Sequence, residues 1–329
     1  MQIHLEQVQG MLLGLAVGDA LGAPVEFGWT AHSILAKWNG QMQDHRIPAG
    51  YYTDDTAMAL CLADSLLECD GYNSYDVMSK YLKWATAGYR ASEDNGMPAS
   101  DIGSQIALEL ERFVIKPAIY KNRARLTGAG NGGIMRLAPA IIVTCNQSEE
   151  ESMRLAKVTS RETHYSKEAD ASAEIFAIML WQALRLDDKN AIVNVDKYST
   201  GTLFDSILNR IMRTKNLDAD KYLKDLGGYV VDSLKIAVWG FLNFDSFRQG
   251  MIEVIRLGGD TDTNASIYGQ LAGAYYGYKA IPTQWRTRLR FCDDILEIAR
   301  KLYEQQPNKI LVTRFEEDGK EYFKDLPQQ

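Results

Sequence analysis

The run AMALCLADSLL at residues 57–67 is apolar on nearly every side of a helix, interrupted only by Asp64 and Ser65. A helix without a polar face cannot lie on a surface, so other helices must enclose it. The chain supplies them. LEQVQGMLLGLAVGDALG, DDTAMALCLADSLLEC, SYDVMSKYLKWATAGY, SKEADASAEIFAIMLWQALRL, VVDSLKIAVWGFLNF and TNASIYGQLAGAYYGYK are all too long for ordinary strands. Strand signals are scarce; KILVTRF, a turn at EEDG and KEYF predict at most a small C-terminal hairpin. The expected fold class is all-α. Length alone would allow two domains, but one domain of 329 residues can bury a large core. Breaks at 114–132 and 187–202 are neither long nor biased enough for linkers, and no short-period repeat or low-complexity segment is present.

What enters the buried helix is unexpected: Thr53, Asp54, Asp55 and Thr56 stand at its start, in YYTDDTAMAL. A second acidic turn, RLGGDTDTNAS at 256–266, places Asp260, Asp262 and Thr263 ahead of another helix. Asp and Thr cap helix N-termini and suit the positive end of the helix dipole. Capping can neutralise one carboxylate, not four, and an unpaired buried charge is costly. Four aspartates helped by threonine hydroxyls form the all-oxygen set that Mg²⁺ or Mn²⁺ prefers. If the turns converge, two ions would fit between them. Zinc is disfavoured, because there are only four histidines and no Cys or His pair has ligand spacing. The residues alone leave two unrelated capped helices open as the alternative.

Three further segments are candidates. GLAVGDALGAPVEF carries Asp19 and Glu26 around glycines; Gly18 and Gly22 suit close helix packing, and Glu26 is either a solvated loop residue or an acid/base beside metals. The second acidic helix carries Ala265, Ser266, Gly269, Ala272 and Gly273, which also predict close backbone approach. TGAGNGGIMRLAPA, with Gly130, Asn131, Gly132, Gly133 and Arg136, is a Gly-rich entry to a helix that can hold a phosphate or can be simply a turn. It lacks the ending of a P-loop and the dinucleotide fingerprint. His164 and Asp101, each near a helix start, read alone as capping or surface residues.

The bulk properties narrow the partners. A net charge of −7 and a pI near 5.3 provide no overall field for a nucleic-acid backbone. The four cysteines are widely spaced and read as reduced core thiols. The N-terminal apolar run lacks the preceding Lys or Arg of a secretory signal, and no stretch was expected to reach the roughly 18 apolar residues of a membrane span. A cytoplasmic location without a membrane partner is expected.

Taken in order, GLAVGDALGAPVEF, YTDDTAMAL, SDIGSQ, GAGNGGIMRLAPA, His164 and LGGDTDTNAS resemble the ADP-ribosylglycohydrolase family over about residues 8–280. TDDT and GGDTDT are specific as a pair; GNGG and DIG are supportive. The resemblance implies a compact orthogonal helical bundle and a dinuclear Mg²⁺ or Mn²⁺ centre. It also implies hydrolysis of the bond joining ADP-ribose to an acceptor such as a protein arginine, or an ADP-ribose-containing small molecule. It makes Thr53, Asp54, Asp55, Asp260, Asp262 and Thr263 the metal ligands and Glu26 the catalytic acid/base. Asp101, Gly130, Asn131, Gly132, Gly133, Arg136 and His164 would line the substrate site. A metal-dependent phosphoester hydrolase and a non-catalytic module binding ADP-ribose or a toxin are the alternatives. Residues 282–329 match no family motif and are expected to be an extension.

Overall fold

In the computed structural model, residues 3–27, 37–115, 128–213 and 227–305 are described, together with the backbone of 314–315 and 321–322. The helices are α1 (Leu5–Gly22), α2 (Asp54–Glu68), α3 (Ser74–Ala87), α4 (Ser104–Ile115), α5 (Ala138–Thr144), α6 (Glu149–Arg161) and α7 (Lys167–Ala183). They continue as α8 (Lys189–Val193), α9 (Thr202–Met212), α10 (Val230–Asn243), α11 (Phe247–Arg256), α12 (Thr261–Tyr276), α13 (Thr283–Arg288) and α14 (Cys292–Gln305). The all-α expectation holds. Two short strands, Arg314–Phe315 and Glu321–Tyr322, pair antiparallel where the hairpin was expected. The helix expected to reach Tyr89 stops at Ala87, because Gly88 turns into the left-handed region at φ 64° and its amide bonds back to Trp84.

The centre of the fold is the α1–α12 pair. Gly10, Gly14, Gly18 and Gly22 recur every fourth residue and so line one face of α1. A Cβ at Gly14 would lie 2.1 Å from the carbonyl oxygen of Gly269, and one at Gly18 would lie 2.3 Å from that of Ala265. At Gly22 it would meet the Asp262 Cα at 2.5 Å. Only hydrogen fits between these backbones, as the small residues on both helices led one to expect. The packing seats the end of α1 against the start of α12 and brings Asp19 to the acidic turn.

By length and composition, Leu5–Val25 is apolar enough to cross a membrane, contrary to the expectation that no stretch would be. Eighty-nine per cent of that window is buried within the protein, where it forms the core helix against α12 and α14. Within the expected extension, residues 283–305 pack on the domain: Gln9 donates to the Leu296 carbonyl at 3.2 Å, and the Tyr303 hydroxyl to that of Ile3 at 3.1 Å. All four cysteines are free, but only Cys61 and Cys145 are buried core thiols; Cys69 is exposed and Cys292 half-buried. Of the two expected breaks, 187–202 folds into α8 and a short 3₁₀ turn at Asp196–Tyr198. Residues 116–127 of the other break lie outside the described residues.

Candidate active site

The two acidic turns converge. Carboxylate oxygens of Asp19, Asp55 and Asp262 lie within 4.8 Å of one another, and so do those of Glu26, Asp260 and Asp262. The Thr263 hydroxyl at the start of α12 reaches Asp55 Oδ2 at 3.4 Å. Asp19 builds one side of the arrangement. Its Oδ1 accepts the Thr53 amide at 2.9 Å and hydroxyl at 2.7 Å, and its Oδ2 accepts the Thr56 amide at 3.0 Å and hydroxyl at 2.6 Å. The capping role expected of the TDDT turn thus falls to a carboxylate from α1, which leaves Asp54 and Asp55 unused for capping. Glu26 follows a 3₁₀ turn at Ala23–Val25, and the next amide, Phe27 N, bonds to the Gly259 carbonyl at 2.8 Å. That bond ties the Glu26 loop to the GGDTDT turn.

The cluster is overloaded with negative charge. Burial pushes Asp55 and Asp262 well above the ordinary carboxylate range; Asp19 and Asp54 add to it for Asp55, Glu26 and Asp260 for Asp262. Asp54 moves the same way through burial and the charges of Asp101 and Asp19. Asp260 rises through burial, although the Asn131 amide donating at 2.8 Å opposes it. Asp19 is pushed up to about 6 by burial despite its four hydrogen bonds. Among the described residues, Asp55 Oδ1 is fully buried without a hydrogen-bond partner at ordinary distance, although the Ser266 hydroxyl lies near enough to oppose the carboxyl's rise. A buried carboxylate oxygen without a donor, among carboxylates that burial raises together, fits a divalent cation as the missing charge.

The Gly-rich segment packs beside the α12 turn. Asn131 Nδ2 donates to Asp260 Oδ2 at 2.8 Å and to Ser233 Oγ at 2.9 Å, while its backbone amide bonds to Gly228. The His164 ring lies on this loop: a Cβ at Gly132 would sit 2.4 Å from its Cε1, and one at Gly130 would sit 2.9 Å from its Nε2. Hence these positions are glycine. His164 is buried, with Nδ1 2.8 Å from the Thr163 hydroxyl, and is not the surface residue that the sequence suggests when read alone. Arg136 is also fully buried. Its guanidinium bonds to the carbonyls of Gly132 and Thr159 and to the Thr163 hydroxyl, over the Tyr81 ring. It braces the loop from behind instead of pointing at an open phosphate site, because these donor contacts all go inward. Asp101 lies three residues ahead of α4 and does not cap it; its Oδ2 accepts Arg46 Nη2 at 2.8 Å, which also donates to Glu26 Oε2 at 3.0 Å. Burial and the Asp101 and Asp260 charges push Glu26 up to about 7, while Arg46 opposes the shift.

Among these residues, the structural roles of Asp19 and Arg46 escaped the sequence reading. Asp19 carried a signal, an acid inside an otherwise apolar helix; Arg46 carried none. The sequence profile of the ADP-ribosylglycohydrolase family matches residues 1–310. The chain is 30% identical over 317 residues to the ADP-ribosylarginine hydrolase Tri1 of Pseudomonas putida (strain GB-1), covering 92% of this chain and 79% of that one. It is 27% identical over 291 residues to the Rhodospirillum rubrum glycohydrolase of ADP-ribosylated dinitrogen reductase, covering 86% and 90%. A solved structure described as an ADP-ribosylglycohydrolase-related protein complex superposes with a TM-score of 0.73 at 34% identity, over 92% of this chain and 98% of that one.

Proposed function

Because the chain belongs to the ADP-ribosylglycohydrolase family, we propose that it is a metal-dependent hydrolase that removes ADP-ribose from a modified acceptor, foremost an ADP-ribosylated protein arginine. The observation that carries the reading is the convergence of two acidic turns around Asp55, whose buried Oδ1 has no hydrogen-bond partner among the described residues. Thr53, Asp54 and Asp55 from one turn and Asp260, Asp262 and Thr263 from the other would hold two divalent cations, Mg²⁺ or Mn²⁺. Such ions, when bound, act as Lewis acids and fix the oxygens of substrate and water. The 329 residues would act as one domain, a reading supported by the packing of α14 against α1. Free cysteines suit a reducing, cytoplasmic compartment.

The chain's own residues divide the remaining work. Breaking the ribose C1 bond builds positive charge on the sugar, which the surrounding carboxylates stabilise. Glu26 stands beside Asp260 and Asp262 with a carboxyl that burial shifts toward neutral pH, so it handles the proton of the leaving group. Asp19 orients Thr53 and the start of α2. Gly130, Asn131, Gly132, Gly133 and His164 line the ADP-ribose side, with Arg136 fixing their loop, and Asp101 stands on the acceptor side.

The test is release of free ADP-ribose from arginine-modified protein, with Mg²⁺, Mn²⁺ or chelator, and serine-modified protein in parallel. Metal-dependent release that Glu26→Gln abolishes, with ADP-ribose binding intact, is expected. Release of AMP or phosphate would identify a phosphoester hydrolase instead, and binding without any product a recognition module.

A further inference from the structure

We propose that Arg46 sets acceptor specificity by standing, in the free enzyme, where the guanidinium of a modified arginine is received. The inference rests on the arginine-acceptor reading above. One nitrogen of Arg46 bridges two carboxylates from segments far apart in sequence, Glu26 after α1 and Asp101 before α4. Carboxylates hold a guanidinium through charge-assisted hydrogen bonds, and here two of them converge on one guanidinium nitrogen. Glu26 also adjoins Asp260 and Asp262, so this pair borders the metal turns on the side where the leaving group departs. Arg46 and Asp101 line a small adjoining cleft together with Asp54 and Glu93, so acidic groups border the pair.

Arg46 is built to leave. Its side chain is 62% exposed, in contrast to the wholly buried Arg136, and among the described residues its polar contacts are those to Glu26 and Asp101. An incoming substrate guanidinium brings a positive charge and free N–H donors at the nitrogens not bonded to ribose, so the exchange leaves both carboxylates paired. A serine-linked acceptor brings no cation and leaves Arg46 in place. Arg46 therefore competes with arginine-linked substrate and is indifferent to serine-linked substrate.

Exposed ion pairs are weak, so removing the competitor with Arg46→Gln is expected to lower KM for arginine-linked ADP-ribose about fivefold, or about 1 kcal/mol. The kcat should not rise in step, the fall in KM should be larger for arginine-linked than for serine-linked substrate, and Arg46→Lys should restore the higher KM. A second readout avoids turnover: calorimetric titration of L-arginine into the Mg²⁺-loaded protein with ADP-ribose, where Arg46→Gln tightens binding about fivefold and Asp101→Asn weakens it. Unchanged arginine affinity in Arg46→Gln, or equal shifts for both substrates, would overturn the proposal. Release from serine-linked protein alone, with L-arginine binding still tightened by Arg46→Gln, would overturn the arginine acceptor yet uphold the guanidinium position.

Discussion

Replacing Gly14 with alanine tests whether helix proximity builds the metal centre. The new Cβ would sit 2.1 Å from the Gly269 carbonyl oxygen, 2.9 Å from its carbon and 3.3 Å from Phe247 Cε2. The atoms in the way are backbone in the middle of α12, so the two helices must open by about 1 Å to reach ordinary contact. Overpacking of this kind costs about 1–3 kcal/mol, and the upper end is expected where no side chain can yield. Helix propensity acts the other way, favouring alanine by about 1 kcal/mol, so a net loss identifies the clash. Asp19 lies five residues further along the same helix, about 7.5 Å away in rise, and α1 ends against Asp262. Opening the helices therefore moves Asp19 relative to Asp262. The expected result is a net stability loss of about 2 kcal/mol in urea unfolding and a raised Mg²⁺ midpoint, although Gly14 touches no carboxylate. Gly103→Ala, whose Cβ would meet only Ile106 Cδ1 at 3.6 Å, is the control and should stay within about 0.5 kcal/mol of the parent. A Gly14→Ala protein as stable as that control, or one that loses stability while binding Mg²⁺ normally, would refute the reasoning.

Asp19→Asn keeps the shape but replaces an acceptor oxygen with a donor facing an amide and a hydroxyl; a loss of about 2 kcal/mol is expected, and unchanged unfolding would show that the bonds to Thr53 and Thr56 contribute little. For the metal-free protein, folded carboxyls raised above their unfolded values bind extra protons in the native state. Stability should therefore fall as pH rises from about 4 through about 6 for Asp19 and about 7 for Glu26. Saturating Mg²⁺ should remove that fall, and a metal-free protein whose melting temperature rises over this window would contradict the electrostatic account. Gly132→Ala drives a methyl into the His164 ring and should weaken ADP-ribose binding at least tenfold, with His164→Ala in the same chain restoring part of it. Additive losses would separate the loop from the ring.

Helices and acidic turns were readable because each is announced locally: α1 spans the apolar run LEQVQGMLLGLAVGDALG, and TDDT and GGDTDT stand directly before the helices they start. The convergence of those turns depends on long-range packing, and its clue was the stripe of small residues on both partners. Asp19 was visible as an acid in an apolar helix, but its role depends on where Thr53 and Thr56 arrive, 34 and 37 residues later. Arg136 shows the limit of local reading. Loop chemistry suggests a phosphate ligand, whereas burial of the guanidinium is decided by Thr159 and Thr163 on another segment. Arg46 lies in a loop without periodicity, and nothing near it in sequence reveals Glu26 or Asp101.

The most direct test of the central claim is to locate bound Mn²⁺ by anomalous scattering in crystals of the protein. The account predicts two peaks between the start of α2 and the start of α12, about 3.5–4 Å apart, with Thr53, Asp54, Asp55, Asp260, Asp262 and Thr263 as ligands. Manganese bound to one turn alone, or away from Asp55 and Asp262, would contradict it.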